Sequence, residues 1–115
     1  MKHIKLVVNN DKIKRGKEEF FIKKELQCIL NLYAKMVSNG SWKDYAFSTG
    51  SREVSFDIYQ RASEKPVIRI TKNLKPKYSN EKFFIKDRNG NVLNKSENLN
   101  YLISNTSWNK LRLVK

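Results

Sequence analysis

Near Gly40 the apolar pattern of this chain changes period. Before it, Ile22, Leu26, Ile29, Leu30, Tyr33, Met36 and Val37 recur at helical spacing and predict an amphipathic helix over Ile22–Asn39. Glu18, Glu19 and Glu25 suit the positive end of its dipole, and Gly40 suits the residue just past its end. A thinner apolar line, Phe21, Cys28 and Leu32, runs down the opposite side. A helix packed on one sheet does not need it, so it is either a few incidental apolar residues or a candidate seam for a partner or a second copy.

After Gly40 the period drops to two. Lys43–Ser48 sets Tyr45 and Phe47 on one side, and Thr49-Gly50-Ser51 turns the chain. Glu53–Arg61 sets Val54, Phe56 and Ile58 against Ser55, Asp57, Tyr59 and Arg61. A turn over Ala62–Lys65 and Pro66 lead into Val67–Lys72, with Ile68 and Ile70 on one face. Keeping both apolar sets on one face fixes the parity of the pairing. Ile58 then opposes Ile68, Phe56 opposes Ile70, and Asp57 faces Arg69 as a cross-strand ion pair. A basic loop, Leu74–Asn80, precedes a second hairpin, Lys82–Asp87 with Asn91–Lys95. A three-residue loop with left-handed Gly90 places Ile85 opposite Leu93, whereas a two-residue Asn89-Gly90 turn places it opposite Asn94. The first keeps both apolar residues together and is the expected register. Asn94 and Glu97 have capping-box spacing, with Ser96 the competing N-cap, ahead of a short helix carrying Leu99, Leu102 and Ile103. Trp108, Leu111 and Val114 would pack the tail down. The expected fold class is α+β: a long N-terminal helix, an antiparallel meander of four to five strands and a short C-terminal helix.

The chain has 115 residues, which suits one domain: residues 1–19 as a basic flexible arm, with Ile4–Val8 as a weak edge strand, and residues 20–115 as a single α+β unit. Net charge is +13, from 24 Lys and Arg against 11 Asp and Glu. Such a surplus attracts polyanions; the abundance of Lys and Asn equally fits the composition of an AT-rich genome. One cysteine excludes an internal disulfide and fits a reducing, cytoplasmic setting. The apolar run at the N-terminus is too short for a signal peptide, and no stretch reaches the ~20 apolar residues of a membrane span.

The inventory for catalysis is thin. His3 is the single histidine, and Cys28 has no partnering imidazole or thiol. Neither an activated nucleophile nor a metal site can be assembled from these, and the scattered glycines make no phosphate loop. No enzyme activity, cofactor or metal is expected. Arg61-Ala62-Ser63-Glu64 is the best local candidate for a small site, with Arg61, Glu64 and Arg69 clustered near one hairpin end; the alternative is a turn in which Ser63 hydrogen-bonds locally and Glu64 neutralises an arginine. On the sheet face away from the core, Tyr59, Arg61, Arg69, Phe84 and Lys86 alternate aromatic with basic character, with Lys72, Lys75 and Lys77 at the rim. That pattern fits a platform for single-stranded RNA or DNA. In the competing picture this face is covered by the C-terminal helix or a second copy, and the protein is an assembly module forming homo-oligomers.

The block Trp42–Lys72, together with the helix before it, resembles a family. Glu25-Leu26, Ile29-Leu30, Leu32-Tyr33 and Met36-Val37 form its helix pattern, and Gly40, Trp42 and Asp44-Tyr45-Ala46 its junction. Arg61-Ala62-Ser63-Glu64, Pro66, Arg69-Ile70 and Lys72 complete the motif. These resemble the alphaproteobacterial domain-of-unknown-function family 2794, over roughly Phe20 to Ile103. The resemblance implies a bacterial cytosolic protein and carries no assigned activity or functional residues.

Overall fold

The computed structural model describes residues 19–60, 65–106 and 108. Helix α1 spans Lys23–Ser38; strands β1 (Asp44–Thr49), β2 (Glu53–Tyr59), β3 (Ile68–Asn73), β4 (Phe83–Asp87) and β5 (Val92–Ser96) follow, and helix α2 spans Leu99–Ser104. A short 3-10 turn, Ser79–Glu81, sits in the β3–β4 connection. The strands form one antiparallel sheet in the order β1-β2-β3-β4-β5, so every neighbour in the sheet is a neighbour in sequence. This is the α+β meander that the change of period predicts, with five strands.

Both helices pack on one face of the sheet. Phe56, Ile58, Ile68, Ile70, Phe83 and Ile85 point toward them and join Leu26, Ile29, Leu32, Met36, Leu99 and Leu102 in one buried core. Aromatic rings fill the end under α1: Tyr33 lies edge-on to Tyr45 and Phe56, and Phe21 lies against Phe47. Trp42, just after the helix, is buried and meets Trp108 edge-on at 5.6 Å. Gly40 ends α1 with φ +83, a left-handed conformation that disfavours a side chain.

The β2–β3 register follows the parity argument. Ile58 pairs with Ile68, Phe56 with Ile70, and Asp57 with Arg69. The second hairpin departs from expectation in an instructive way. Its loop is the three-residue Arg88-Asn89-Gly90, closed by Gly90 N–H donating to the Asp87 carbonyl, with Gly90 at φ +87. Yet Ile85 pairs with Asn94, because the register shifts between Ile85 and Lys86 and leaves Leu93 as the extra residue of a bulge. The bulge puts Leu93 among the exposed apolar side chains and frees Asn94 to donate to Thr106 after α2.

Two further expectations are corrected. The N-cap of α2 is Asn98, whose side chain accepts from the Tyr101 N–H at 2.9 Å, and not Asn94 or Ser96. Asn94 is committed to β5, and the Ser96 hydroxyl accepts from Asn98 N–H one step earlier. The buried arc of α1 is also turned from the predicted one. Glu25, Leu26, Ile29, Leu32 and Met36 are buried, whereas Val37 is 40% exposed. The cause is a second contact on the flank: α2 packs beside α1, and Phe21 and Leu32 lie inside the core.

Candidate nucleic-acid interface

Both helices contribute to the core on one face of the sheet, and the candidate surface is the face turned away from them. Alternation along the strands assigns Ser48, Ser55, Asp57, Arg69, Thr71, Phe84, Lys86 and Lys95 to that face. Asp57 is at its centre and only 2% exposed. Its carboxylate accepts from the Ser48 hydroxyl at 2.6 Å and the Ser55 hydroxyl at 2.7 Å, and meets Arg69 Nε at 3.3 Å. A buried carboxylate needs such partners, and here three strands supply them.

Arg69 is thereby held by its Nε while its side chain stays 46% exposed. Directly opposite on β4 stands Lys86. Like charges facing each other across a ladder are unfavourable unless something of opposite sign sits between or beside them. Lys86 reaches Glu53 only at 3.9 Å and lies 5.6 Å from the centre of the Phe84 ring. Arg69, Lys86 and Phe84 thus form a small cationic and aromatic patch, with half-buried Tyr59 at the end of β2 and Lys95 opposite Phe84 on β5. Ser55 and Thr71 beside it are buried, so the accessible part is the patch rather than the whole face.

Of the expected platform residues, Tyr59, Arg69, Phe84 and Lys86 are brought together on one face, and Lys75 and Lys77 are exposed in the loop at the β3 end. Arg61, with Ala62, Ser63 and Glu64, lies outside the described residues, as do residues 1–18 of the expected arm and Leu111 and Val114 of the tail.

Lys72 is a correction. It is not at the rim of this face but on the opposite one, 1% exposed beneath α1. Its ammonium lies 2.8 Å from Glu25 Oε1 and donates to the Phe20 carbonyl at 2.9 Å. The same Glu25 oxygen accepts the Ile22 N–H at 2.8 Å, capping α1. Lys72 occupies a core position because it follows Ile68 and Ile70 at period two, and the parity of the strand outweighs the hydrophilicity of the residue once an acid is there to meet it. Glu25, sitting within the apolar arc of α1, was the signal for that partner.

The Phe21, Cys28 and Leu32 line is a second correction. Phe21 and Leu32 are buried in the core, and Cys28 Sγ lies 3.6 Å from Asn100 Oδ1 on α2. The line is thus taken up within the chain itself: Cys28 faces α2, and Phe21 packs against Phe47 of β1. A shallow groove of about 1200 Å³ remains between the helices, walled by polar side chains such as Gln27, Asn31 and Asn100. Burial pushes the Cys28 thiol above its ordinary value, opposite to what a reactive cysteine needs. No group of three or more His, Cys, Asp or Glu among the described residues is placed to hold a metal ion, and no described helix is long and apolar enough to cross a membrane.

Residues 20–103 match the family described as a protein of unknown function, DUF2794. The chain belongs to this family. No curated protein and no solved structure matches it. Several of the residues that carry the DUF2794 resemblance have structural roles. Glu25 and Lys72 bind each other under α1, Gly40 turns the chain, Trp42 is buried, and Tyr33 OH donates to the Lys43 carbonyl at 3.3 Å. Arg69 likewise pairs with buried Asp57, but its side chain stays 46% exposed on the outer face.

Proposed function

We propose that this DUF2794 protein is a non-enzymatic module that binds single-stranded nucleic acid through the outer sheet face. One observation carries the reading. Arg69 and Lys86 oppose each other across β3 and β4, and Arg69 is oriented by a buried carboxylate. A phosphate placed between the two cations relieves their repulsion. Phe84 and Tyr59 offer aromatic surface for an unstacked base. The overall charge of +13 adds a long-range attraction for the same partner.

The test is fluorescence anisotropy with a labelled 12-nucleotide RNA and the matched DNA, titrated at several salt concentrations. Binding should weaken steeply with salt. Changing Lys86 and Lys95 together to alanine, with the fold checked by circular dichroism, should lower the slope of log K against log salt by about 1.4, at roughly 0.7 per lost phosphate contact on a single strand. A folded protein that binds neither strand at low salt overturns the proposal. So does a double variant whose slope equals that of the parent.

A further inference from the structure

The β3–β4 connection presents a second feature, and its interpretation rests on the nucleic-acid reading above. Tyr78 is 62% exposed, although most rings of this chain are packed inward. The loop around it is tied down. Leu74 N–H donates to the Arg52 carbonyl at 2.8 Å, Lys75 N–H to Asn73 Oδ1 at 3.1 Å, and Glu81 N–H to the Tyr78 carbonyl at 2.9 Å. Pro76 restricts the backbone between Lys75 and Lys77. An ordered backbone thus holds this ring out in water.

The charges at this end of the sheet are mostly positive. Arg52, Lys75 and Lys77 belong to the same sheet end, since the Leu74–Arg52 hydrogen bond joins the β1–β2 turn to this loop. None of the three makes an ion pair among the described residues. The carboxylates of Glu53 and Glu81 lie 3.9 Å from Lys86 and 4.0 Å from Lys95, long contacts that leave both acids partly exposed. Strand β4 then leads from this end toward Phe84 and Lys86. Lys86 lies four steps beyond Lys82, about 14 Å along a strand.

We propose that Tyr78 is a stacking platform for one unpaired base of a bound single strand, with Arg52, Lys75 and Lys77 holding the flanking phosphates as the strand runs along β4 to the Arg69–Lys86 patch. Stacking needs an open base face, so a duplex cannot use Tyr78. Every base has such a face, so the contact is tolerant of sequence.

The experiment compares a labelled 12-nucleotide single strand with the same strand annealed to its complement. It uses the full chain, Tyr78→Ala, Tyr78→Phe, and Tyr101→Ala as a control at an equally exposed tyrosine on α2. Tyr78→Ala should weaken single-strand binding roughly 5- to 100-fold, the worth of one stacked base, while Tyr78→Phe and Tyr101→Ala stay within about twofold. The duplex should bind less tightly than the single strand and be insensitive to Tyr78→Ala. Single-strand binding that survives Tyr78→Ala unchanged, or an equal loss in Tyr101→Ala, overturns the platform while leaving the sheet-face reading standing. If the parent chain binds neither strand, the sheet-face reading and the platform fail together.

Discussion

Replacing Lys72 with methionine is the sharpest probe of how α1 is fixed to the sheet. The substitution keeps most of the side-chain length and removes the ammonium from a site that is 1% exposed. Glu25 is then left as a buried carboxylate without its cation. Breaking a buried pair from one side typically costs about 3–5 kcal/mol. The remaining Ile22 N–H at 2.8 Å and the adjoining N-terminus of α1 still favour the anion, which argues for the low end, about 3 kcal/mol. The Phe20 carbonyl loses its donor as well, for roughly 1 kcal/mol more. The total, about 4 kcal/mol, should lower the urea midpoint by about 2–3 M at a slope near 1.5 kcal/mol per M. Glu25→Leu alone should be comparably damaging, because it takes the carboxylate away from a buried ammonium. The double variant Glu25→Leu/Lys72→Met removes both charges and should lose only about 1–2 kcal/mol, chiefly the helix cap. With each single loss near 4 kcal/mol, the coupling between the two sites is therefore predicted at about 6 kcal/mol, above the range of most contacting pairs. Urea unfolding followed by Trp fluorescence and circular dichroism measures all four forms. A Lys72→Met loss under about 1 kcal/mol, or strictly additive single variants, would refute the view that this pair clamps the helix.

Two other outcomes are expected. Gly90→Ala should cost about 1–2 kcal/mol purely through its left-handed backbone at φ +87, because an added Cβ meets nothing within 4 Å; an unchanged urea midpoint would contradict it. Burial raises the Cys28 thiol, and burial, then Asp44 and Tyr45, raises the Tyr33 phenol. Both groups hold their protons more tightly when folded. The stability they contribute is complete below their ordinary ionisation ranges and is lost as pH rises through the raised values. Dithionitrobenzoate should accordingly label Cys28 more slowly in the native protein than in the urea-unfolded chain at the same pH; equal rates would show that burial does not control the thiol.

What could be read from sequence was whatever periodicity governs. Three apolar residues on β2 and two on β3 were enough to fix their register and the Asp57–Arg69 pair, since a slip of one residue would turn every side chain over. The same logic failed at β5 because one extra residue, Leu93, reverses parity in mid-strand, and a bulge has no signature in a five-residue segment. Lys72 was misplaced for a different reason: hydrophilicity was allowed to outrank parity. A strand that reads Ile68, Ile70, Lys72 on one face sends the lysine inward, and the cost of doing so is offset by an acid 47 residues away in sequence. The Phe21, Cys28 and Leu32 line was visible but its partner was not, because the sequence does not say on which side of α1 the second helix lands. Of the outer patch, Arg69, Phe84 and Lys86 were legible from alternation. Ser48 and Ser55, which hold Asp57 in place, were not: a serine facing outward on a strand is ordinarily a solvated one.

The order of the strands bears on how this chain reaches its fold. Each strand pairs only with the one before and after it, so the sheet can grow by short closures of neighbouring hairpins, which are fast. The long closures belong to α1, whose tie from Phe20 to Lys72 spans 52 residues. Such a contact pays its loop entropy last. Docking of α1 is thus expected to follow assembly of β2 and β3, and loosening the Lys72 tie should show mainly in the unfolding arm of a chevron rather than in the folding arm.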